Sequence, residues 1–296
     1  MPNRATALRS GGHAAPKPMR RSSASRSFRG IVKHGVLILA GLFFLGPFAY
    51  LLLTSVKSID EIFAVSFVWW PERFFWDNYS NAVNAIPFFQ YTLNTVFISL
   101  MCVLGELIAA PLVAYGFARI PFKGRNILFM MMMGTIMLPS QTTMIPLYVL
   151  YNKMDLVNTF WPLILPSFFG AAYYIFLLRQ FFMGIPYELT ESAKIDGASE
   201  FRIYWQMILP LSKPALFTVG LLVFLGSWKD YQMPLIYLND PAKWTLSVGL
   251  KAFIGEYNIE WGMLMAAAAL FTIPIVILYF FVQKVFIQGI TLTGMK

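Results

Sequence analysis

Few residues of this chain could do chemistry, and they fall in three places. Glu106 stands near the middle of a long apolar run, and Lys229 and Asp230 stand inside another, in the sequence Trp228-Lys229-Asp230-Tyr231. Ionisable groups in such surroundings serve a polar route or a buried structural bond. Both roles are open for Glu106. Lys229 and Asp230 most simply neutralise each other; the alternative is that Lys229 attracts an anionic solute. The third place is the island 186–214, where Glu188, Glu191, Lys194, Asp196, Glu200 and Arg202 lie between two apolar segments. A polar stretch of this size in an apolar chain is a docking surface for a soluble partner.

Other chemistries lack their residues. No Gly-x-x-x-x-Gly-Lys-Ser/Thr run occurs, so the chain has no phosphate cradle of that type. No Gly-x-Ser-x-Gly nucleophile elbow is present. The histidines are His13 and His34, and the one cysteine is Cys102, which argues against a His-built metal, hydrolase or oxidase site. Met130, Met131, Met132 and Met133, with Met137 and Met144 nearby, have no His or Cys beside them, so they read as adaptable packing.

The elements that must position these groups are helices in a membrane. Apolar residues make up 58% of the chain and charged residues 12%, about half the charge of a soluble domain. Six apolar windows are long enough to span a bilayer, near 34–54, 93–118, 127–150, 159–182, 215–237 and 263–285. Arg4, Arg9, Lys17, Arg20, Arg21, Arg26, Arg29 and Lys33 precede the first window, and no acidic residue appears before Asp60. Residues 1–33 therefore read as a disordered, basic, cytoplasmic arm that orients the first span. Nucleic-acid binding by the arm is the disfavoured alternative. Arg119, Lys123 and Arg125, then Lys194, Arg202 and Lys213, keep the same side basic, so both termini and the island are expected in the cytoplasm. The first outer loop is aromatic, with Phe63, Phe67, Trp69, Trp70, Phe74, Phe75, Trp76 and Tyr79. It reads as an interfacial belt, with sugar stacking as the alternative.

The island has internal order. Pro186 suits the start of a helix, Glu188 and Glu191 complement its positive end, and Gly197 suits a left-handed stop. Ser199 then caps a second short helix running towards Pro210. Glu191-Ser192-Ala193, Gly197 and Leu209-Pro210 resemble the EAA loop of ABC-transporter permeases, with departures at Ser192 and Met207. Further matches are Ser55-Val56-Lys57 with Glu61-Ile62-Phe63, Tyr115-Gly116-Phe117-Ala118-Arg119, Pro146-Leu147-Tyr148 and Trp261-Gly262-Met263-Leu264-Met265-Ala266-Ala267. Together they are similar to the MalG-like permeases of the carbohydrate-uptake-1 family.

That resemblance implies an all-α, six-span permease with the ABC importer type I fold over 34–296, in a bacterial inner membrane. It implies a second MalF-like permease, an ATPase dimer holding ATP and Mg, and an extracytoplasmic solute-binding protein as partners, with no cofactor or enzymatic activity in this chain. Glu188, Glu191, Ala193, Asp196, Gly197 and Ala198 would couple to the ATPase. Asn94, Glu106, Trp228, Lys229, Asp230 and Tyr231 are the candidates for the translocation pathway, for a sugar, oligosaccharide or related solute. The competing reading is a self-powered secondary transporter or a membrane enzyme using Glu106 and Asp230. The topology predicts that, on a Cys102→Ala background, an impermeant thiol reagent reaches cysteines placed at Asp77 and Asp155 in intact cells, and not those at Asn126 and Glu200. Labelling of the Glu200 position from outside would reverse it.

Overall fold

The structure is a computed structural model that describes residues 23–66, 68–255 and 259–293. Residues 1–22 of the expected arm and Phe67 of the aromatic loop lie outside the described residues. Residues 23–33, also expected in the arm, are the first turns of helix α1 (Ser23–Thr54). The chain divides into two units, 1–50 and 51–296. The first holds most of α1, where Val36, Leu39, Phe43 and Phe44 are exposed apolar side chains. An apolar surface on every side suits a helix solvated by lipid.

The second unit continues with α2 (Asp77–Ala85), α3 (Phe88–Arg119), α4 (Arg125–Thr135) and α5 (Ser140–Lys153). Helix α6 (Trp161–Ile164) runs through a 3-10 turn at Leu165–Phe169 to α7 (Ala172–Met183). Then come α8 (Tyr187–Ile195), α9 (Glu200–Leu211), α10 (Lys213–Trp228), α11 (Gln232–Tyr237) and α12 (Trp261–Thr293). Among the described residues the only β pairing is an isolated bridge between Ile254 and Ile259.

Four stretches are long and apolar enough to cross a bilayer: Val32–Thr54, Phe88–Arg119, Trp161–Met183 and Trp261–Gln283. Helices α9 and α10 supply a fifth if the pair, bent by 77°, is one span. The described residues thus give four or five such stretches against six expected. The expected third window is split into α4 and α5, of 11 and 14 residues, with the break ending at Pro139. Each is shorter than the ~20 residues needed to span alone. The expected fifth window also ends early, because α10 stops at Trp228 and α11 starts afresh at Gln232.

Helix α3 is the central post, packed along α7 and α10. Its Ile98, Cys102, Ala110, Ala114 and Tyr115 meet Ile175, Leu178 and Phe182 of α7 and Val219 and Val223 of α10 in one apolar core. At the other end of α3, Phe88 and Tyr91 join Ala82 of α2, Leu246 and Ala266 and Ala267 of α12 in a second core. The aromatic loop after α1 is tied down by polar bonds. Ser58 and Glu61 form a capping box, and Glu61 also accepts the Glu72 N–H at 2.8 Å. These N–H donors hold the Glu61 carboxyl below its ordinary range. Asn78 Nδ2 donates to the carbonyls of Ser55 and Lys57, at 3.0 Å each.

The 3-10 turn between α6 and α7 packs tightly on α3 at Gly105, where a Cβ would stand 2.6 Å from the Phe168 ring. Replacing Gly105 by Ala should therefore push the 3-10 turn off α3 and destabilise the protein by about 1–3 kcal/mol. Thermal aggregation of the purified protein reads this. Trimming the ring in Gly105→Ala/Phe168→Leu should restore part of the loss, and equal midpoints for Gly105→Ala and wild type would refute the close approach.

Candidate functional site

The island folds into two short helices held against the end of α3. Pro186 is the N-cap of α8 in an extended conformation, one position before the first turn in which its missing N–H was expected to be tolerated. Helix α8 ends because Gly197 takes φ +79°, a left-handed value that side chains with a Cβ resist. The Ala198 N–H then reaches back to the Ala193 carbonyl at 2.9 Å, and the Gly197 N–H to Lys194 at 3.0 Å, closing a Schellman stop. Ser199 caps α9 by accepting the Arg202 N–H at 3.4 Å. Glu188, Glu191 and Asp196 are exposed, Ala193 is buried and Ala198 half-buried. One face of α8 is therefore free and acidic, and the face carrying Thr190 and Ala193 is packed.

Two residues of α3 brace this loop. Arg119, in the last turn of α3, is 4% exposed. Its Nη2 donates to the carbonyls of Phe182 and Ile185, at 2.5 Å each, its Nη1 to Thr190 Oγ1 at 3.5 Å, and its guanidinium lies over the Tyr187 ring. One cation thus gathers the end of α7, the turn after it and α8. One helical turn earlier on α3, the Tyr115 hydroxyl donates to Glu200 Oε2 at 2.7 Å. The other oxygen of Glu200 takes Lys194 Nζ at 2.6 Å, which raises the Lys194 ammonium above its ordinary value. Glu200 joins both short helices to the span.

Within the membrane region, the structure separates the pathway candidates. Glu106, 2% exposed, accepts the Ala171 N–H at 2.7 Å, so it caps α7 where the span is broken. Asp230 accepts the Met233 N–H at 3.2 Å in the first turn of α11. No ion pair joins Lys229 to Asp230, so the expected neutralisation is corrected. The reason is the helix break: Lys229 is the exposed C-cap of α10, and Asp230 serves the new helix start instead. Asn94 Nδ2 donates to the carbonyls of Ala242 and Trp244 at 3.0 Å each, pinning the 238–245 loop. Trp228 is buried, donates Nε1 to the Phe271 carbonyl at 3.2 Å and stacks on Phe224, so it packs α10 against α12. Tyr231 is 40% exposed. Asn94 and Arg119 are 25 positions apart, so their loops lie about 37 Å apart at opposite ends of α3.

Residues 62–292 match the model of the family described as binding-protein-dependent transport system inner membrane component. The chain belongs to that family. The permease is 33% identical over 253 residues to the arabinooligosaccharides transport system permease protein AraQ of Halalkalibacterium halodurans, covering 84% of this chain and 90% of that one. It is 30% identical to the diacetylchitobiose uptake system permease protein NgcG of Streptomyces coelicolor, covering 89% and 87%. Among solved structures it is similar to a bacterial ABC transporter involved in the import of the acidic polysaccharide alginate, with a TM-score of 0.75, 26% identity, and 90% and 99% of the two chains covered. The permease has the ABC importer permease fold, and as a transporter subunit it is not itself an enzyme.

Sequence reading placed the acidic knob of the permease and missed its braces. Tyr115 and Arg119 were visible as part of a family match, and Arg119 was read only as a basic residue of the loop after the second window, whereas it is buried. Their partners, 63 to 85 positions away, could not. Magnitudes rank the contacts. The Lys194–Glu200 pair is more than a third exposed on both sides and contributes about 0–1 kcal/mol. Tyr115 is buried, so loss of its acceptor costs about 1–3 kcal/mol. Lys194→Ala should leave the melting midpoint of the purified complex nearly unchanged, Glu200→Ala should lower it clearly, and Arg119→Met should lower it most, by stranding two main-chain carbonyls. Equal effects of Lys194→Ala and Glu200→Ala would contradict this ranking.

Proposed function

We propose that this permease forms one wall of the translocation pathway of a sugar or oligosaccharide importer, and that α8 is its coupling helix. The observation that carries this is the free acidic face of α8 on a helix braced to the central span by Arg119 and Glu200. A loose loop would absorb a push from a soluble partner; a braced one passes it to α3. The arabinooligosaccharide, diacetylchitobiose and alginate systems among its relatives support carbohydrate as the solute class.

In this reading the permease pairs with a second, MalF-like permease in a bacterial inner membrane, with both termini cytoplasmic. Two copies of an ATPase, holding ATP and Mg, sit under the pair, and a solute-binding protein delivers from outside. Helix α8 seats in a cleft on one ATPase. Glu188, Glu191 and Asp196 make the polar contacts, Ala193 packs α8 back against the permease, and Gly197 with Ala198 fixes where α8 stops. Closure of the ATPase dimer moves α8 as a rigid body and rocks α3 with it, switching access from one side to the other. A self-powered transporter on Glu106 and Asp230 is disfavoured, because each carboxylate already caps a helix start.

With its partners co-expressed, Glu191→Ala should reduce uptake and solute-stimulated ATP hydrolysis at least tenfold while complex yield holds. Gly197→Val, which forces a branched side chain into the left-handed region, should do the same with some loss of yield. Uptake at wild-type rates in both variants would rule out α8 as the coupling helix.

A further inference from the structure

A groove of about 490 Å³ lies between α3, α10 and α12. Val103 and Leu107 of α3, Phe217 and Leu221 of α10 and Leu278 and Val282 of α12 are among its apolar walls. The one charged residue that lines it is Lys213, the first residue of α10. The groove has a bottom. Phe224 lines it and stacks on buried Trp228 at 5.6 Å, and Trp228 meets the Phe271 ring of α12 at 5.7 Å. Helices α10 and α12 therefore touch beyond Phe224, and the groove lies between that contact and Lys213. Lys213 and Phe224 are 11 positions apart, about 16 Å of helix, or about half of the ~30 Å hydrocarbon core. The groove has the depth of one leaflet. At its mouth Lys213 is exposed, and among the described residues its ammonium has no ion-pair or hydrogen-bond partner. The mouth stands at the 77° bend between α9 and α10, beside the 186–214 loop.

We propose that this groove holds one acyl chain of an anionic phospholipid, with the headgroup phosphate on Lys213. A helix of another subunit needs a track across the whole bilayer, and the aromatic contact at Phe224 ends this one half-way. An acyl chain needs only the depth of its own leaflet. Lipid tails are as apolar as the leucines around them, so van der Waals packing on three helices holds the chain and does little to choose among lipids. The choice falls to Lys213. A headgroup of net negative charge answers the ammonium, and no acidic side chain lines the groove to compete for it. A zwitterionic headgroup would bring a second cation beside the first.

The test uses the assembled transporter, purified and stripped of lipid, then titrated with phosphatidylglycerol or phosphatidylcholine of the same chains. Native mass spectrometry counts the bound lipid. Wild type should take up phosphatidylglycerol at concentrations about fivefold lower than phosphatidylcholine, the effect of about one basic residue at an anionic surface. Lys213→Gln should remove that preference, and Lys213→Arg should keep it. Soluble glycerophosphoglycerol at the same concentration should not displace the lipid. In native membranes, p-benzoylphenylalanine in place of Phe217, which lines the groove and is 49% exposed, should cross-link to phospholipid. Equal affinities for the two lipids in wild type, or an unchanged preference in Lys213→Gln, would overturn the proposal. So would a cross-link to another subunit in place of lipid, and displacement by the soluble headgroup would reduce the groove to a plain anion site.

Discussion

A single guanidinium in the last turn of α3 holds the two short helices of the 186–214 loop in place. Arg119 is nearly inaccessible, and a buried charge is stable only with bonds to offset its lost hydration. It finds them in main-chain carbonyls at the end of α7, in Thr190 and in the ring of Tyr187. The contacts oblige the turn after α7 and the start of α8 to fold back onto α3. The free face of α8 is what remains once this has happened. A neutral residue at position 119 could pack there, but it could not draw two carbonyls and a threonine hydroxyl to one point.

Broken helices pose the second problem the chain has to solve. In a bilayer every freed backbone group needs a partner within the protein. The span 161–183 is interrupted by a 3-10 turn, and α11 begins anew after α10. In each case a carboxylate takes an N–H of the new start: Glu106 for α7 and Asp230 for α11. The partial positive charge of a helix N-terminus favours an anion there, which eases the cost of placing one at depth. Glu106 and Asp230 thus both have structural duties.

The same economy of polar groups runs through the end of α3 away from Arg119. Asn94 reaches from α3 to two carbonyls of the 238–245 loop, and Asn78 to two carbonyls after α1. Each amide nitrogen ties two carbonyls together. With α3 carrying Asn94 near one end, Glu106 midway and Tyr115 and Arg119 near the other, one helix connects the 238–245 loop, the start of α7 and the two short helices α8 and α9.

What the residues settled by themselves was local. Apolar runs marked the membrane stretches, because about twenty apolar residues are enough to define one. Ser199 followed by Arg202, and Gly197 after Ala193, announced a cap and a stop, because those bonds span three to five positions. The matched residues carried the family. What the tertiary structure alone decided was which distant groups meet. Lys229 and Asp230 are neighbours in the chain, yet the end of α10 sends one to the surface and sets the other to a helix start. The split of the third window and the 77° bend between α9 and α10 have the same character, since hydropathy counts apolar residues and does not register where a helix turns. Tyr115 finds Glu200 across 85 positions, and Arg119 finds Phe182 across 63. Side chains so far apart in the chain meet only when helices pack, and the spacing of residue types along a sequence does not record that packing.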